Sequence, residues 1–320
     1  MPSGVRAARA GAPRRTDSGL ALAIVTGTSS TTEVARGISL IGAFASLVRF
    51  QHTVFALPFA LAGALMAHQS WPPASVLGWI LLAMVGARSL AMALNRVIDA
   101  EIDAKNPRTA GRDLPSGRLT LAQVAVFCAI SLAALLVAVS QLPPLTWFLW
   151  PVPVAGFVIY PYTKRFTWLC HLVLGVVIGL APLGAWIAVT GHFAAAPIFL
   201  FLAVATWMFG FDVIYALMDV EFDRAHGIQS VPARFGAARA LRITRVMHTV
   251  AVVCLILAGV LAGSTALYFV GVVICAAVLV VENILVSPDD MGRIQAAFGT
   301  ANSVLALVYI TFVILSVGVG

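Results

Sequence analysis

Charge is scarce in this chain. Only 10% of its 320 residues are Asp, Glu, Lys or Arg, 61% are hydrophobic, and the mean hydropathy is +0.98. Soluble domains carry about 25% charged residues. A chain this poor in charge cannot turn most of its folded surface to water, so a water-soluble globular domain is excluded and a lipid bilayer is the expected solvent. Lysine is nearly absent, with only Lys105 and Lys164, yet the net charge is +7 because Arg is abundant. In a membrane chain that balance reads as loop charge setting orientation, with no nucleic-acid partner. Cysteine is sparse too. Cys128, Cys170, Cys254 and Cys275 each stand alone in an apolar run, with no Cys-x-x-Cys or Cys/His spacing. That excludes a thiolate zinc site and a disulfide framework, and leaves free thiols.

Long apolar runs are what the chain does have. A helix needs roughly 20 apolar residues to cross the hydrocarbon core. Nine candidate spans follow, near 45–67, 74–96, 119–140, 145–162, 167–190, 195–217, 243–262, 266–286 and 298–318. Pro, Gly and polar residues separate them, as in Trp71-Pro72-Pro73 and Gln141-Leu142-Pro143-Pro144. The expected fold is all-α, a polytopic bundle of about nine transmembrane helices. Residues 1–36 are rich in Ala, Gly, Ser, Thr and Arg, and their apolar stretch from Leu20 to Val25 is too short for a signal-peptide core. They read as a disordered cytoplasmic tail ahead of a single membrane domain over residues 37–320.

Basic residues divide cleanly between the two sets of connections. The tail and the segments 96–118, 163–166, 218–245 and 287–297 hold nearly all Lys and Arg, while the connections near residues 70, 142, 191 and 263 hold none. Positive loops stay inside. A multi-pass protein of the cell membrane is expected, with a cytoplasmic N-terminus and, after nine spans, a C-terminus outside. Apart from Arg96 and Arg245, which sit at the very ends of two spans, only Arg49 and Arg88 fall within spans. Arg49 lies near a span end, where it can snorkel; Arg88 lies about 10 Å above Asn95 at 1.5 Å per residue, so it is expected to face a pocket.

Acidic residues are concentrated further. Of nine Asp, five lie in two segments, Asn95-Arg-Val-Ile-Asp99-Ala-Glu-Ile-Asp103 and Asp212-Val-Ile-Tyr215-Ala-Leu-Met-Asp219-Val-Glu-Phe-Asp223. The segments are offset by 120 residues, aligning Asn95 with Tyr215, Asp99 with Asp219 and Asp103 with Asp223. Positions i, i+4 and i+8 share a helix face. Each segment therefore presents one polar stripe, with Asp212 a turn deeper and Glu101 and Glu221 on other faces. The copies are four spans apart, so their helices run parallel and both stripes meet the same membrane face. The bundle is a pseudo-repeat of four-helix units.

Two facing carboxylate stripes repel, so a cation belongs between them. Oxygen donors without Cys or His suit Mg²⁺, which binds through a few carboxylates plus substrate phosphates. A diphosphate held through Mg²⁺ is the expected ligand. The flanking segments add Lys105, Arg108, Arg112 and Arg118 after the first copy, Arg224 and Arg234 after the second, and Tyr160-Pro-Tyr162-Thr-Lys164-Arg165 between spans four and five. Such groups can neutralise a leaving diphosphate.

These motifs resemble the UbiA superfamily of membrane aromatic prenyltransferases. The first copy is similar to that family's N-x-x-x-D-x-x-x-D. It continues as Asp103-Ala-Lys-Asn-Pro-Arg108-Thr109 and Arg112-Asp-Leu-Pro115-Ser-Gly117, in the manner of the 4-hydroxybenzoate polyprenyltransferase branch. The other copy resembles D-x-x-Y-x-x-x-D-x-x-x-D, followed by Gly227-Ile-Gln-Ser230 and Ala233-Arg-Phe-Gly236. The resemblance runs from about Arg49 to the C-terminus. It implies that Asn95, Asp99, Asp103, Asp219 and Asp223 hold Mg²⁺ and diphosphate. It also implies that Lys164 and Arg165 bind diphosphate oxygens, with Arg108, Arg112 and Arg224 as further candidates. Asp212 and Tyr215 are implied near the acceptor or the reacting carbon, and Arg49, Arg88 and Tyr160 as acceptor-binding candidates. The substrates implied are a polyprenyl diphosphate and a hydroxyaryl carboxylic acid. Many members carry Asp directly after the motif Asn; this chain has Arg96. That departure resembles the subgroup assigned to the futalosine route of menaquinone synthesis, which implies a dihydroxynaphthoate acceptor, with 4-hydroxybenzoate as the alternative. A transporter with a carboxylate cation site is the rival class. Transporters often use inverted repeats with sites at the midplane, whereas this repeat is parallel with its acids at one face.

Overall fold

The computed structural model describes residues 53–287 and 301–319, together with Gly42, Phe44 and Leu47. Arg49 and the N-terminal tail lie outside the described residues. The elements in chain order are α1 (Thr53–His68), α2 (Ala74–Ile98), α3 (Ala100–Lys105), α4 (Leu121–Ser140), α5 (Pro144–Leu149), α6 (Pro151–Thr163), α7 (Cys170–Thr190) and α8 (Ala195–Ala216). A 3₁₀ turn at Leu217–Asp219 leads to α9 (Val220–Ala225), α10 (Val231–Phe235), α11 (Ala237–Leu261), α12 (Ala266–Leu285) and α13 (Asn302–Val319). Among the described residues, eight helical stretches are long and apolar enough to cross a membrane, and the apolar part of α1 is shorter.

Local chemistry explains the breaks. Thr120 caps α4 in a reciprocal capping box with Gln123. Pro143 and Pro144 open α5, and Pro151 and Pro153 remove backbone donors, so the span expected over 145–162 runs as one stretch from Pro144 to Thr163 whose helical hydrogen bonding is interrupted at Trp150, between α5 and α6. Gly191 ends α7 at φ 75°, a left-handed conformation that glycine adopts without a Cβ penalty. The charge-poor span expected from residue 243 begins earlier, at Ala237, because Arg239, Arg242 and Arg245 extend α11 beyond its apolar part.

The repeat is visible in the backbone. α3 and α9 are offset by 120 residues at both ends. Each follows an Asp with ψ near zero, Asp99 at φ −94° and ψ 1°, Asp219 at φ −112° and ψ 5°. The straight stripe expected through i, i+4 and i+8 is therefore bent at its middle carboxylate in both copies. The acids of α3 and α9 lie in their first turns, where the helix dipole favours negative charge.

α2 packs on α4 and α6, α7 on α8 and α1, α8 on α11, and α13 on α1 and α12. Large apolar side chains such as Phe148, Val273 and Ile284 remain exposed on the outside, as a lipid-facing surface requires. Inside, the Phe59 ring stacks on Tyr309 and lies tilted against Trp207 within one apolar core. Asn302 accepts from Trp207 Nε1 at 2.9 Å and donates to buried Glu282 at 2.8 Å, tying α8, α12 and α13 together. α7 and α8 approach closely at Gly175 and Gly179, where an added Cβ would lie 2.2 Å from the Ala205 carbonyl oxygen and 2.7 Å from that of Phe201. Gly175→Leu is expected to force these helices apart and cost roughly 1–3 kcal/mol. Its thermal midpoint in detergent should fall, while Gly78→Ala, which meets nothing within 4 Å, should leave it unchanged or higher.

Candidate active site

A cavity of about 670 Å³ lies between α2, α6, α7 and α8. At one end its wall carries Asn95, Asp99, Asp103, Asp219 and Asp223. From Asn95 it continues along α2 through Ala91, Ala87 and Met84 to Ile80, a run of about 22 Å at 1.5 Å per residue. Leu149, Phe157, Val177 and Leu183 add to this apolar stretch. The cavity is thus polar at the acidic end and greasy along the rest. Glu101 and Glu221 are exposed and outside it, as their helix faces predict.

Each buried carboxylate meets a partner of its own. Asp99, 3% exposed in its side chain, pairs with Lys164 Nζ at 2.7 Å and accepts from Asn95 Nδ2 at 2.8 Å. Burial pushes its carboxyl above the usual carboxylate range, with Lys164 opposing that shift. Asp103 receives Arg112 Nη1 at 2.6 Å on both oxygens and has Arg96 Nη1 at 3.9 Å. Asp219 is gripped by the Arg108 guanidinium through two nitrogens, and Asn106 Nδ2 donates to it at 3.1 Å. The Arg108 guanidinium also donates to the Tyr215 hydroxyl and lies 4.9 Å from that ring centroid. Asp223 accepts from Ser230 Oγ at 2.8 Å. These contacts join the three connections on the acidic side, so the two copies of the repeat converge.

Among the described residues, no three His, Cys, Asp or Glu side chains form a ready-made metal shell. The pairing above is the reason, since the carboxylates turn toward cations and hydroxyls. The donor set nevertheless fits Mg²⁺. It consists of carboxylate and amide oxygens, and Asp99 Oδ1 is buried with no hydrogen-bond partner. A few carboxylates plus phosphate oxygens are what Mg²⁺ uses.

Other expected residues fall in different places. Asp212, Tyr215, Tyr160, Arg88, Arg108, Arg112 and Lys164 all line the cavity. Arg165 and Arg224 do not. Arg165 donates to the Ile98 carbonyl at 2.6 Å and lies over the Tyr162 ring, closing the end of α2. Arg224 donates to the carbonyls of Ala233 and Pro232. Both guanidinium groups are spent on backbone oxygens, which directs them away from the cavity. Arg88 Nε is buried with no partner, and no ion pair or hydrogen bond of this side chain occurs among the described residues.

Asn106, Gln229 and Ser230 lie within the motif segments of the sequence, which give them no role of their own, and His171, near the start of α7, stands outside every motif. His171 Nδ1 is 2.7 Å from Asp212 Oδ2. A buried histidine beside a carboxylate is invisible in one dimension, because the two lie 41 residues apart.

Over 183 residues the chain is 36% identical to the 4-hydroxybenzoate solanesyltransferase of Synechocystis sp., an alignment covering 55% of this chain and 61% of that protein. The apo structure of a UbiA homolog from Aeropyrum pernix is 32% identical with a TM-score of 0.76, covering 82% of this chain and 97% of that one. A UbiA homolog from Archaeoglobus fulgidus bound to DMAPP and Mg²⁺ has a TM-score of 0.68 at 16% identity, a likeness of fold, with 87% and 99% covered. The sequence pattern of the UbiA prenyltransferase family matches residues 56–310, most of the chain, and this chain belongs to that family.

Proposed function

We propose that this protein transfers a polyprenyl group from a polyprenyl diphosphate to a ring carbon of a hydroxylated aromatic acid in quinone biosynthesis. One observation carries the reading: the two acidic segments share the polar end of a cavity whose remaining length is apolar. A diphosphate with a long hydrocarbon tail has that same division. The acidic end faces the cytoplasm in this reading, supported by the Lys and Arg clustered in the connections there.

Asn95, Asp99, Asp103, Asp219 and Asp223 would hold Mg²⁺ against the diphosphate. When bound, the ion supplies Lewis-acid neutralisation of the phosphate oxygens. Lys164, Arg108 and Arg112 lie close enough to these carboxylates to exchange a carboxylate for a phosphate oxygen, and Arg can do so through two nitrogens. The C1–oxygen bond breaks with its electron pair leaving on diphosphate. The ring carbon bonds to C1 and then gives up its proton, with Asp212 as acceptor. Phe157, Val177 and their neighbours exclude water from the allylic cation. Arg88, a buried cation with no countercharge among the described residues, receives the acceptor's carboxylate, with Tyr160 also in the wall.

The acceptor best supported is 4-hydroxybenzoate, through the name of the Synechocystis relative. A dihydroxynaphthoate of menaquinone synthesis is the second reading, favoured by buried Arg96 at the position after the motif Asn. Purified protein with Mg²⁺ and geranyl diphosphate should be offered both acids and the products read by mass. Prenylated 4-hydroxybenzoate is expected. Product from dihydroxynaphthoate alone favours the second reading, and no product from either overturns the proposal.

Lys164→Met tests the pairing with Asp99. Lys164 lowers the Asp99 pKa against the upward push of burial, so its loss raises that pKa further. The acid limb of the pH–rate profile should move to higher pH, with a lower plateau.

A further inference from the structure

Residues 229–231, at the junction between the loop after the second acidic segment and α10, touch three parts of the site in succession. Gln229 N donates to the Lys164 carbonyl at 2.7 Å, Ser230 Oγ to Asp223 Oδ2 at 2.8 Å, and Val231 N to His171 Nε2 at 3.2 Å. The last contact decides the state of His171. A backbone amide can only donate, so Nε2 must present its lone pair. The ring hydrogen then sits on Nδ1 and is donated to Asp212 Oδ2 at 2.7 Å. His171 is 3% exposed, and the Phe209 ring meets it edge-on at 6.1 Å between centroids, so the imidazole has little room to turn. With Oδ2 engaged, Asp212 Oδ1 remains for the cavity that Asp212 lines.

We propose that His171 is a positioning residue for the prenyl transfer, held as its Nδ1–H tautomer by the Val231 amide so that it orients Asp212 to take the proton from the acceptor ring. This role rests on the prenyl-transfer reading above. As C1 bonds to the ring carbon and diphosphate departs with its electron pair, the proton on that carbon passes to Asp212 Oδ1. His171 neither gains nor loses a proton. Because residues 229–231 also hold Lys164 and Asp223, a docked loop links the diphosphate end of the site to the orientation of Asp212.

Two measurements test this. In the first, wild type, His171→Ala, His171→Asn and His171→Leu are assayed with Mg²⁺, geranyl diphosphate and 4-hydroxybenzoate. His171→Ala and His171→Leu should lower kcat about 10–100-fold, the usual cost of losing a partner that orients a reacting group, while KM for the diphosphate stays within about threefold. His171→Asn places an amide N–H near the lost Nδ1–H and should recover most of the kcat. In the second, ¹⁵N-histidine NMR of the wild type in detergent should give a protonated Nδ1 and a lone-pair Nε2 that vanish in His171→Asn. This readout needs no turnover. An Nε2–H tautomer, wild-type kcat in His171→Ala, or a loss confined to KM each overturn the inference. A wild type that makes no product from 4-hydroxybenzoate or from the dihydroxynaphthoate overturns the prenyl-transfer reading and this role with it, whatever the NMR gives.

Discussion

Asp99→Ala and Asp219→Ala are each expected to lower turnover by at least about 10³-fold, because several kcal/mol of charge stabilisation at the diphosphate disappear and each 1.4 kcal/mol is tenfold. The two carboxylates occupy equivalent places in the repeat, at the bends that precede α3 and α9. Loss of either leaves one side of the polar end without its central oxygen donors. The freed partners, Lys164 and Arg108, line the cavity and are 26% and 32% exposed in their side chains, so water can solvate them. The fold should therefore survive, with thermal midpoints in detergent close to the wild type. Raising Mg²⁺ should recover little. Full activity in both variants would sink the metal assignment.

Arg88→Gln is expected to raise KM for the aromatic acid by about 10–100-fold, since a charge-assisted hydrogen bond contributes about 1.5–3 kcal/mol. KM for the prenyl diphosphate should hardly change. Arg88 sits deep in α2, lines the cavity, and has a buried Nε with no partner. A cation in that position is costly unless an anion arrives to meet it. The natural anion is the acceptor's carboxylate, since the diphosphate is engaged at the acidic end. Initial rates against the acid at saturating diphosphate measure the effect. An unchanged KM would remove Arg88 from the acceptor subsite.

The class of the fold and the chemistry of the polar end are legible in composition and spacing alone. Transmembrane helices announce themselves through runs of apolar residues, a local property, and α2, α4, α7, α8 and α12 lie close to their expected limits. The repeat is legible because Asp is so rare here that two matched clusters of it stand out. The bends at Asp99 and Asp219, and the interruption at Trp150, are not, since a hydropathy run carries no record of one residue's ψ.

Which cation faces which acid is likewise beyond a linear reading. Arg108 crosses to Asp219 over 111 residues, and Lys164 reaches Asp99 from another connection. Arg165 and Arg224 look like their neighbours in one dimension, yet the turns of their loops spend them on backbone carbonyls. His171 is the sharpest case. A lone histidine at the head of an apolar helix means nothing until folding brings Asp212 and the Val231 amide to its two nitrogens. Composition and spacing are additive along a chain, so they report solvent and ligand class; pairing depends on distances through space, and those exist only once the helices have packed.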